Sequence, residues 1–413
     1  MKFGIIGLGY VGLATLCGLA KAGHEVIGVE KDQPRLRRLM SGHAPFHEPG
    51  MAEVLQDYAD SITLTDNTAD TNDVDYLFLA VGTPSKEDGS CDMTFVDAAL
   101  SEINTKQKIV IRSTVPPGTT DLLSIMYPFH TFAVVPEFLQ EGRALADVLK
   151  PHRVVIGSGS LEISEELAGI YGRLGVPIVC TTPINAELIK YASNAFLATK
   201  ISFMNDLSRL ADKAGADIAT IADGMGLDPR IGRSYLNAGL GYGGSCFPKD
   251  MNALLNVAAE NELDLPVIRA AIQANDEQIA YVASKIEHRP NLRVAFLGLA
   301  FKPGTDDMRD APSITLANHL RLREVEVVGY DPLAKWEYRQ ALTPEEALKG
   351  ADVAILVTEW DELVNLKPEA FAGMRTKRLI DARNAWKYAR DPEDVEYEGV
   401  GRMQGKTNTP SSK

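Results

Sequence analysis

Short apolar strands that alternate with helices constrain the fold of this chain more than any other feature. At the start, Phe3–Ile6 predicts a buried strand, Val11–Ala22 a helix and Glu25–Val29 a second strand. Apolar runs of this length, separated by helical segments, are typical of a parallel, doubly wound sheet. Further runs of the same kind lie at Tyr76–Val81, Lys108–Ile111, Thr131–Val134, Arg153–Ile156, Pro177–Cys180, Leu292–Leu299, Val325–Gly329, Val353–Val357 and Arg378–Ile380.

The pattern of the first strands returns later in the chain. Val294–Ala300 resembles Phe3–Gly9, and Glu326–Asp331 resembles Glu25–Glu30, as expected of two related nucleotide-binding folds, although any two parallel strands share some likeness. Between them, Ala186–Ala214 forms a long helical pattern without Pro or Gly. Further helical patterns lie at Asn252–Glu260 and Val267–Ile286. The sequence therefore predicts an α/β fold of two Rossmann-like doubly wound domains joined by a central helical domain with a long helix.

The composition is typical of a globular protein and argues against two classes of partner. Of the 413 residues, 45% are hydrophobic and 24% are charged, and the formal net charge is −14. This acidic balance argues against general nucleic-acid binding, which depends on Lys and Arg. No run of about 18 apolar residues predicts a membrane span, and no signal peptide precedes the first strand. We therefore expect a cytoplasmic protein with no nucleic-acid and no membrane partner.

A glycine-rich turn follows the first predicted strand. Gly7-Leu8-Gly9-Tyr10-Val11-Gly12 has the G-x-G-x-x-G spacing between a strand and a helix. The backbone of such a turn, together with the helix N-terminus, can bind a pyrophosphate. Glu30 ends the next strand, where an acidic side chain binds ribose hydroxyls and repels a 2′-phosphate. These residues predict a NAD site, although Lys31 could tolerate a phosphate and the glycines alone could serve only to turn the chain.

One of the four cysteines lies in a segment rich in glycine and charge. Cys246 belongs to the decapeptide Gly241–Asp250 (GYGGSCFPKD), beside Lys249 and Asp250. Glycines let a ligand approach the backbone, and a nearby cation favours the nucleophilic thiolate. No CxxC pair or other metal-ligand spacing is present, so no metal site is expected. The remaining cysteines, which we interpret as small core residues, are Cys17, Cys91 and Cys180.

A nucleophilic thiol in a NAD enzyme points to one class of reaction. Oxidising an alcohol to an aldehyde removes one hydride and needs only a base. Oxidation to the acid becomes accessible when a thiolate adds to the aldehyde, because the thiohemiacetal can lose a second hydride and give a thioester that water hydrolyses. The sequence therefore favours a four-electron oxidation through a thioester on Cys246.

Three further segments carry groups suited to this chemistry. Lys190 and Asn194 lie four residues apart on the long helix, so they share a face and could stabilise an oxyanion, or else lie on an ordinary solvated face. Glu137 could act as a base or activate the hydrolytic water, or else supply a charge to a helix N-terminus. Ser113–Gly118 is a strand-end turn with hydroxyl groups. None of the three segments indicates a catalytic site by itself, and only their combination supports one.

With these residues identified, the chain resembles the UDP-glucose/GDP-mannose dehydrogenase family over residues 1–390. The motifs that carry the resemblance, in the family's order, are Gly7–Leu13, Gly82–Pro84, Ser113–Pro116, Pro136–Leu139, Glu187–Lys190 with Asn194, Asp228–Gly232, Gly241–Asp250 and Gly298–Lys302. Within the family, Pro136–Phe138 with Glu141-Gly142, and Lys150–Gly157, favour oxidation of UDP-glucose to UDP-glucuronate.

The resemblance implies a role for each site residue and a homodimer with the long helix in its interface. The implied catalytic residues are Cys246 as nucleophile, Lys190, Asn194, Asp250, Glu137 and Thr114. The implied NAD contacts are Gly7, Gly9, Tyr10, Val11, Gly12, Glu30, Thr83, Thr114, Glu141, Lys249 and Arg309. The implied contacts of the sugar nucleotide are Glu137, Phe138, Leu139, Lys190, Asn194, Tyr242, Gly243, Phe301, Lys302, Arg383 and, from a neighbouring subunit, Arg230.

The resemblance also assigns a function to each part of the chain. Residues 1–182 are expected to form a NAD-binding Rossmann-like domain, and residues 289–400 a UDP-sugar-binding Rossmann-like domain. Residues 183–288 are expected to form a central helical domain that carries the cysteine loop and mediates dimerisation. Small polar residues predict a disordered tail at 401–413.

The residues leave other functions open. The same chemistry could act on another nucleotide sugar, such as GDP-mannose or a UDP-N-acetylhexosamine. A two-electron β-hydroxyacid dehydrogenase also combines a Rossmann domain with a helical Lys and Asn pair, but it needs no cysteine and forms one NADH per substrate rather than two. A non-catalytic nucleotide-sugar binder would keep the fold without needing Cys246, Lys190, Asn194 and Glu137.

Overall fold

The structure, a computed structural model, describes residues 1–402 except residues 288, 391 and 393. The chain divides into two compact units, which we name unit 1 and unit 2. Unit 1 comprises Met1–Ser193 and Asn252–Asp264, and unit 2 comprises Asn194–Met251 and the described chain from Leu265 onward. The division therefore falls inside two helices.

Unit 1 contains a sheet of eight strands among the described residues. The strands are β1 Lys2–Ile6, β2 Glu25–Val29, β3 Ile62–Thr65, β4 Tyr76–Leu79, β5 Lys108–Ile111, β6 Thr131–Val134, β7 Val154–Ser158 and β8 Ile178–Thr181. Their order across the sheet is β3-β2-β1-β4-β5-β6-β7-β8. Neighbours are parallel except for β6 and β7, which are antiparallel. The expected parallel sheet therefore contains one reversal.

The strands of unit 1 other than the two edge strands β3 and β8 are buried on both faces. Every residue of β4 is buried, with Tyr76 and Phe78 in one apolar cluster and Leu77 and Leu79 in another. Successive strand residues point to opposite faces, so a strand that is covered on both faces needs a continuous apolar run. This requirement explains why short, uninterrupted apolar runs located most of these strands in the sequence.

Helices pack beside both sheets. The helices are α1 Tyr10–Lys21, α2 Gln33–Met40, α3 Met51–Asp57, α4 Thr94–Ser101, α5 Thr119–Met126, α6 Ala144–Leu149, α7 Leu161–Gly172, α8 Pro183–Ala214, α9 Ile218–Gly226, α10 Phe247–Glu260, α11 Pro266–Ser284, α12 Pro312–Arg321, α13 Pro344–Leu348 and α14 Asp361–Val364. Short 3₁₀ turns lie at Ala59–Ser61, Thr68–Thr71 and Pro368–Gly373. The long helix predicted at Ala186–Ala214 is α8, which starts three residues earlier because Pro183 is tolerated in a first helical turn.

Unit 2 contains a second sheet, of six strands among the described residues. The strands are β9 Arg293–Leu297, β10 Glu326–Tyr330, β11 Arg339–Gln340, β12 Val353–Leu356, β13 Arg378–Asp381 and β14 Glu396–Gly399. Their order is β11-β10-β9-β12-β13-β14, and all pairs are parallel. The order around β9 repeats the order around β1, and the α/β class with two Rossmann-like sheets is confirmed.

The register repeats as well as the order. Lys2 at the start of β1 pairs with Glu25 on β2, and Arg293 at the start of β9 pairs with Glu326 on β10. The similar segments seen in the sequence therefore occupy equivalent places in the two sheets.

Three short edge or near-edge strands were not predicted, namely β3, β11 and β14. The residues of β3 are at most half-buried, β11 has two residues, and Glu396 and Glu398 in β14 carry charges. Edge strands are often short and polar, which limits pairing with other chains. Such strands lack the apolar run on which the sequence prediction depended.

One cysteine was misassigned. Cys17 and Cys91 are buried as expected, but Cys180 is exposed, so its interpretation as a core residue is wrong. The cause is the position of β8 at the edge of the sheet, where Val179 and Cys180 are both exposed. The tail predicted at 401–413 falls mostly on residues 403–413, outside the described residues, whereas the Gly401 carbonyl accepts a hydrogen bond from Ile218 N at 2.9 Å.

Among the residues that the structure describes, no helix has both the length and the apolar character needed to cross a bilayer. Within the same residues, no three or more His, Cys, Asp or Glu side chains are grouped so as to hold a metal ion.

Candidate active site

The glycine-rich turn of unit 1 has the shape that a pyrophosphate site requires. Gly7 has φ +90°, and a Cβ on Gly12 would lie 1.8 Å from the Gly7 carbonyl oxygen, so neither position can carry a side chain in this conformation. A Cβ on Gly9, which precedes α1, would meet no atom within 4 Å. The N-terminus of α1 therefore faces open space, and the residues fit the diphosphate of NAD.

Glu30 lies beside this turn at the end of β2. One carboxylate oxygen accepts a hydrogen bond from Leu8 N at 3.1 Å and the other from Asp32 N at 2.9 Å. Lys31, which could have tolerated a 2′-phosphate, instead pairs with Glu102 at 2.6 Å. This arrangement places an acidic side chain at the ribose position and favours NAD over NADP.

The ends of β4 and β5 bring two predicted residues together. Thr83 follows β4 and donates from its hydroxyl to the carbonyl of Thr114, which follows β5, at 2.8 Å. Tyr10, at the start of α1, stacks on Phe46 with ring centroids 3.8 Å apart. β1 and β4 are neighbours although distant in sequence, and ligands of doubly wound sheets bind at such a switch point beyond the carboxyl ends of the strands.

Glu137 lies just beyond β6 and is buried. Its Oε1 accepts a hydrogen bond from Lys190 Nζ at 2.6 Å, and its Oε2 accepts one from Leu139 N at 2.6 Å. Burial raises the pKa of this carboxyl, but the Lys190 ammonium and its hydrogen bond oppose burial. The Leu139 N–H and the Arg112 guanidinium add to that opposition, so the pKa of Glu137 lies below its ordinary value. The group is a carboxylate at neutral pH, as a base requires.

Phe138 is the next residue and is held between two cations. The guanidinium carbon of Arg153 lies 3.8 Å from the centre of the Phe138 ring, and Lys190 Nζ lies 5.7 Å from it. Cations attract the faces of aromatic rings, so these contacts fix the segment that follows Glu137. Leu139 and Glu141, both predicted contacts, are half-buried in the same segment.

Two predicted residues lie one turn apart on α8 and are both buried. Lys190 is 3% exposed and Asn194 is 7% exposed, so the alternative of a solvated helix face is wrong. Lys190 binds Glu137 within unit 1, and Asn194 belongs to unit 2, where its Nδ2 donates to Asp250 Oδ2 at 2.6 Å. Each side chain therefore has a carboxylate partner.

Cys246 is exposed and immediately precedes α10. Its carbonyl accepts the helical hydrogen bond of Asp250 N at 2.9 Å, and Ser245 Oγ lies 3.6 Å from its sulfur. The partial positive charge of a helix N-terminus favours a thiolate. The sequence pattern placed the start of this helix at Asn252 and missed this contribution, although Pro248 is a residue typical of a first helical turn.

Asp250 anchors the start of α10. The side chain is 1% exposed, and its two oxygens accept hydrogen bonds from Lys249 Nζ at 2.5 Å and from Asn194 at 2.6 Å. The carboxylate, the ammonium and the amide thus form one cluster, of which Lys249 and Asp250 lie three and four residues after Cys246 in the chain. Such a cluster can orient a reacting carbon and a water molecule beside a nucleophile.

The glycines before Cys246 pack closely against unit 2 loops. A Cβ on Gly243 would lie 2.1 Å from the Asp310 carbonyl oxygen, and one on Gly244, with φ +83°, would lie 2.7 Å from the Phe301 ring. Tyr242 is buried, and its N–H donates to Asn275 Oδ1 at 2.8 Å. The predicted substrate residues Tyr242, Gly243 and Phe301 are therefore brought together.

Arg383 joins the same loops from the end of β13. Its Nε donates to the Val357 carbonyl at 2.6 Å and its Nη2 to the Phe301 carbonyl at 3.2 Å, while Nη1 lies 3.5 Å from the Gly241 carbonyl. Lys302 Nζ lies 5.6 Å from the centre of the Phe301 ring. These contacts place Arg383, Phe301 and Lys302 at the carboxyl ends of the strands in the second sheet.

Two predicted arginines lie on exposed loops. Arg309 forms a two-point ion pair with Asp307, and Arg230 does the same with Asp228. The Arg230 side chain is 87% exposed. Its expected role in a neighbouring subunit requires such exposure and stays a prediction.

Two residues of interest were not predicted as site residues. Asp331 ends β10, as Glu30 ends β2, but it accepts hydrogen bonds from Leu299 N, Ala300 N and Trp360 Nε1 at 2.7–3.1 Å. Arg112 is buried after β5 and contacts the carbonyls that precede Glu137. The sequence similarity of β2 and β10 signalled Asp331, whereas the only signal for Arg112 was an arginine directly after a buried strand.

Models of one protein family match consecutive parts of the chain. The family is the UDP-glucose/GDP-mannose dehydrogenase family, whose NAD binding domain matches residues 1–175. Its central domain matches residues 184–277, and its UDP binding domain matches residues 295–388.

Individual relatives match along almost their whole length. UDP-glucose 6-dehydrogenase YwqF of Bacillus subtilis is 38% identical over an alignment that spans 97% of this chain and 98% of the relative. A solved UDP-glucose dehydrogenase of Pyrobaculum islandicum superposes with a TM-score of 0.91 at 33% identity, covering 97% and 98% of the two chains. A UDP-D-ManNAc dehydrogenase of Pyrococcus horikoshii superposes with a TM-score of 0.87 at 27% identity, covering 97% and 99%.

Proposed function

Since the chain belongs to the UDP-glucose/GDP-mannose dehydrogenase family, we propose that it oxidises the C6 alcohol of UDP-glucose to a carboxylate through a thioester on Cys246. The chain is a NAD-dependent oxidoreductase. The observation that carries the thioester is the exposed thiol at the start of α10, with the buried Asp250 cluster four residues later. A thiol kept only for packing would not be exposed at a helix N-terminus.

The proposed reaction has four steps. A base removes the proton of the C6 hydroxyl while C6 loses a hydride, which gives the aldehyde. The Cys246 thiolate then forms a C–S bond to the aldehyde carbon, and loss of a second hydride from C6 gives the thioester. Water attacks the thioester carbon, the C–S bond breaks, and the acid and the thiolate are released. Bound NAD supplies the hydride acceptor, so two NAD are reduced and one water is consumed for each sugar.

The buried groups have distinct proposed roles. Lys190 would stabilise negative charge on the C6 oxygen, because an ammonium held in a buried site acts strongly on a developing alkoxide. Glu137, ionised and hydrogen-bonded to Lys190, would accept a proton and activate the hydrolytic water, with Thr114 assisting. Asn194 and Asp250 would orient the reacting carbon and its water.

The nucleotide sugar is proposed to bind the loops of the second sheet. The model of the UDP binding domain covers residues 295–388, which include Phe301, Lys302 and Arg383. The hydrogen bonds of Arg383 to the Phe301 and Gly241 carbonyls support one shared binding surface for these loops. Lys302 would pair with a phosphate of UDP.

A homodimer is part of the proposal. α8 exposes an apolar stripe that we name the α8 stripe, formed by Ile184, Leu188, Phe196, Phe203 and Leu210. Residues separated by four, seven and eight positions lie on one side of a helix, and exposed stripes of this kind mark interfaces. We propose that two copies pack through the α8 stripe and that Arg230 reaches the site of the partner copy.

The assignment of parts follows the same proposal. We assign NAD binding to residues 1–182, dimerisation and the cysteine loop to residues 183–288, and UDP-sugar binding to residues 289–400. A cytoplasmic location would keep the Cys246 thiol reduced and therefore able to react.

The deciding experiment counts reduced cofactor. Purified protein is mixed with a limiting amount of UDP-glucose and excess NAD, and NADH and the acid product are quantified at completion. We expect two NADH per sugar. One NADH per substrate would indicate a two-electron dehydrogenase, and binding without turnover would indicate a nucleotide-sugar binder.

A parallel panel with GDP-mannose and UDP-N-acetylmannosamine tests the substrate, and faster turnover of either would overturn the choice of UDP-glucose.

A further inference from the structure

Arg112 is a buried cation directly behind the proposed base. It follows β5, is 7% exposed, and donates from Nη1 to the Val135 carbonyl at 2.9 Å and towards the Pro136 carbonyl at 3.5 Å. These two carbonyls belong to the residues that immediately precede Glu137. A buried guanidinium is costly unless its charge and donors are compensated, and here the compensation comes from these two carbonyls.

The cations around Glu137 and its neighbour Phe138 come from three places in unit 1. Lys190 on α8 contacts Oε1, and Arg112 at the end of β5 acts from the side of the backbone. The Leu139 N–H holds Oε2, and Arg153, before β7, lies over the neighbouring Phe138 ring. Arg112 is therefore placed to act both on the backbone that carries Glu137 and on the charge of its carboxylate.

We propose that Arg112 is a positioning residue for the reaction, which fixes the backbone of residues 135–137 so that the Glu137 carboxylate faces Lys190 and stays ionised. This inference rests on the proposed function, because it assumes that an ionised Glu137 takes part in the chemistry. It assigns Arg112 no contact with substrate or cofactor.

Two substitutions separate the contribution of the charge from that of the carbonyl contacts. Arg112→Met keeps an unbranched apolar side chain and removes the charge and all donors. Arg112→Lys keeps a positive charge but replaces the planar guanidinium by a compact ammonium, which cannot donate to two carbonyls in the same way. Arg339→Met, which removes an exposed cation paired with Glu326 in unit 2, serves as the matched control.

The measurement is the pH dependence of kcat, with KM for NAD and UDP-glucose at each pH. For Arg112→Met we expect kcat to fall roughly tenfold to a hundredfold, less than the loss of a whole general base, with both KM values changed by less than about threefold. The acid limb of the profile should move to higher pH, because loss of a nearby positive charge raises the pKa of Glu137. Arg112→Lys should restore the wild-type acid limb and only part of kcat.

Three outcomes would overturn the proposal. They are an acid limb of Arg112→Met at the wild-type pH, a wild-type kcat in Arg112→Lys, and an equal loss in Arg339→Met. If Arg112→Met does not fold, as judged by circular dichroism, Arg112→Lys decides: a reduced kcat with an unmoved acid limb supports the proposal, and a wild-type kcat contradicts it.

The proposed function is tested separately. The wild-type ratio of NADH to sugar, and the disappearance of the acid limb in Glu137→Gln, depend on the chemistry and on Glu137 but not on Arg112. With both results obtained, an unmoved acid limb in Arg112→Met contradicts the role of Arg112 alone. A ratio of one, or an acid limb that persists in Glu137→Gln, contradicts the proposed function itself.

Discussion

At the scale of single residues, the candidate groups of unit 1 and of unit 2 are buried, apart from one exposed thiol in unit 2. Cys246 is open to solvent, whereas Asp250, Lys190 and Glu137 are buried and hydrogen-bonded. Buried polar groups with complete hydrogen bonds are held in one geometry, and an exposed thiol can be reached by a ligand. Within unit 2, this difference suits an accessible nucleophile that is followed, four residues later, by a carboxylate held in one geometry.

Cys246→Ser tests the nucleophile. A serine hydroxyl is a far poorer nucleophile than a thiolate, so we expect acid production from UDP-glucose to fall roughly a thousandfold or more, while the Kd for NAD stays within about twofold. Acid production is followed by NADH absorbance and product chromatography, and NAD binding by calorimetry. Cys180→Ser removes the other exposed cysteine and serves as the control. Acid formation at the wild-type rate in Cys246→Ser would exclude the thioester route.

Residue type and spacing were enough to identify many of these groups. Cys246 was recognisable from its glycines and charges, and Lys190 with Asn194 from their helical spacing. Arg112 was not recognisable, because its role arises from contact between the ends of β5 and β6, which are separate in sequence. The same reason explains Asp331, because its partners Leu299 and Trp360 lie about 30 residues away from it in sequence.

At the scale of elements, α8 carries three buried polar residues on successive turns, namely Glu187, Lys190 and Asn194. Glu187, one turn before Lys190, accepts hydrogen bonds from Gly118 N at 2.6 Å and from Thr120 N at 2.8 Å, at the start of α5. Burial raises the pKa of Glu187, and its hydrogen bonds to Thr120 and Gly118 only partly oppose this effect. The helix therefore fixes both the turn that follows Thr114 and the ammonium that binds Glu137.

A second element-scale feature is a cluster of ion pairs in unit 2. Lys285, which follows α11, binds Asp212 on α8 at 2.8 Å and Glu398 on β14 at 2.9 Å, and Arg378 on β13 binds Glu398 at 2.8 Å. Burial lowers the pKa of Lys285, but its hydrogen bonds to Asp212 and Glu398 outweigh burial and raise it. Burial raises the pKa of Glu398, but its hydrogen bonds to Arg378 and Lys285 lower it overall.

Lys285→Met should destabilise unit 2 by about 3 kcal/mol, because Asp212 and Glu398 would lose the cation they share. Arg233→Met, which breaks the partly exposed pair with Asp223 in the same unit, should cost less than about 1 kcal/mol. Urea unfolding followed by tryptophan fluorescence measures both, since Trp336, Trp360 and Trp386 all lie in unit 2. Equal losses in the two variants would contradict the importance of the cluster.

The stability from this cluster also has a defined pH range. A lowered pKa of Glu398 stabilises the fold at pH values above the unfolded pKa, about 4.3, and this contribution is lost as pH falls through the lower folded value. A raised pKa of Lys285 contributes below its unfolded value, about 10.4, and this contribution is lost as pH rises through the higher folded value. The difference between wild type and Lys285→Met should therefore be largest between about pH 5 and pH 10.

Elements were predictable where burial is complete and not where it is partial. The central strands of both sheets are continuous apolar runs, but β3, β11 and β14 are short and polar. The start of α10 was placed late because Cys246 to Asp250 contain no apolar period, and their helix is stabilised by the hydrogen bonds of Asp250 instead.

At the scale of the whole molecule, the two sheets share an order but not a ligand chemistry. The first sheet has the Gly7–Gly12 turn, with Glu30 beside it. The second has Gly298-Leu299-Ala300 instead. Asp331 accepts hydrogen bonds from two amides of that turn and from Trp360 Nε1, whereas Glu30 accepts one from its turn, from Leu8 N. The shared topology was predictable from the repeated pattern. The different glycines of the two turns are visible in the sequence, whereas the different donors around Glu30 and Asp331 are seen only in the contacts.

Phe203→Glu tests the proposed dimer. A charge in the middle of the α8 stripe should weaken association by roughly thirtyfold or more, because an aromatic residue that the proposed dimer would bury is replaced by an unpaired carboxylate. Sedimentation equilibrium measures the mass as a function of concentration. Leu322→Glu changes an exposed leucine outside the α8 stripe and should leave the mass unchanged. A dimer that persists in the double variant Phe196→Glu/Phe203→Glu would show that another surface mediates association.

The antiparallel pair of β6 and β7 determines which side chains surround Glu137. Val134 pairs with Gly157 and Ala133 with Ser158, so the same alignment, continued beyond the last ladder bond, sets Phe138 opposite Arg153. The 3.8 Å contact of these two side chains agrees with that alignment. If β7 ran parallel to β6, it would begin at the level of the amino-terminal end of β6, and Arg153 would lie at the opposite end of the strands from Phe138.

The same reversal sets the direction of α8. Because β8 runs parallel to β7, the chain leaves the sheet at the level of Val134, and a Cβ on Gly157 would touch Pro183 and Ala186 at 2.6–2.9 Å. From Pro183 to Lys190 a helix rises about 10 Å, which matches the extended chain from Val134 to Glu137. The rise of the helix and the length of the extended segment therefore bring the Lys190 ammonium and the Glu137 carboxylate to the same level along the strand direction. Insertion or deletion of one residue in either segment would therefore move the Lys190 ammonium and the Glu137 carboxylate apart.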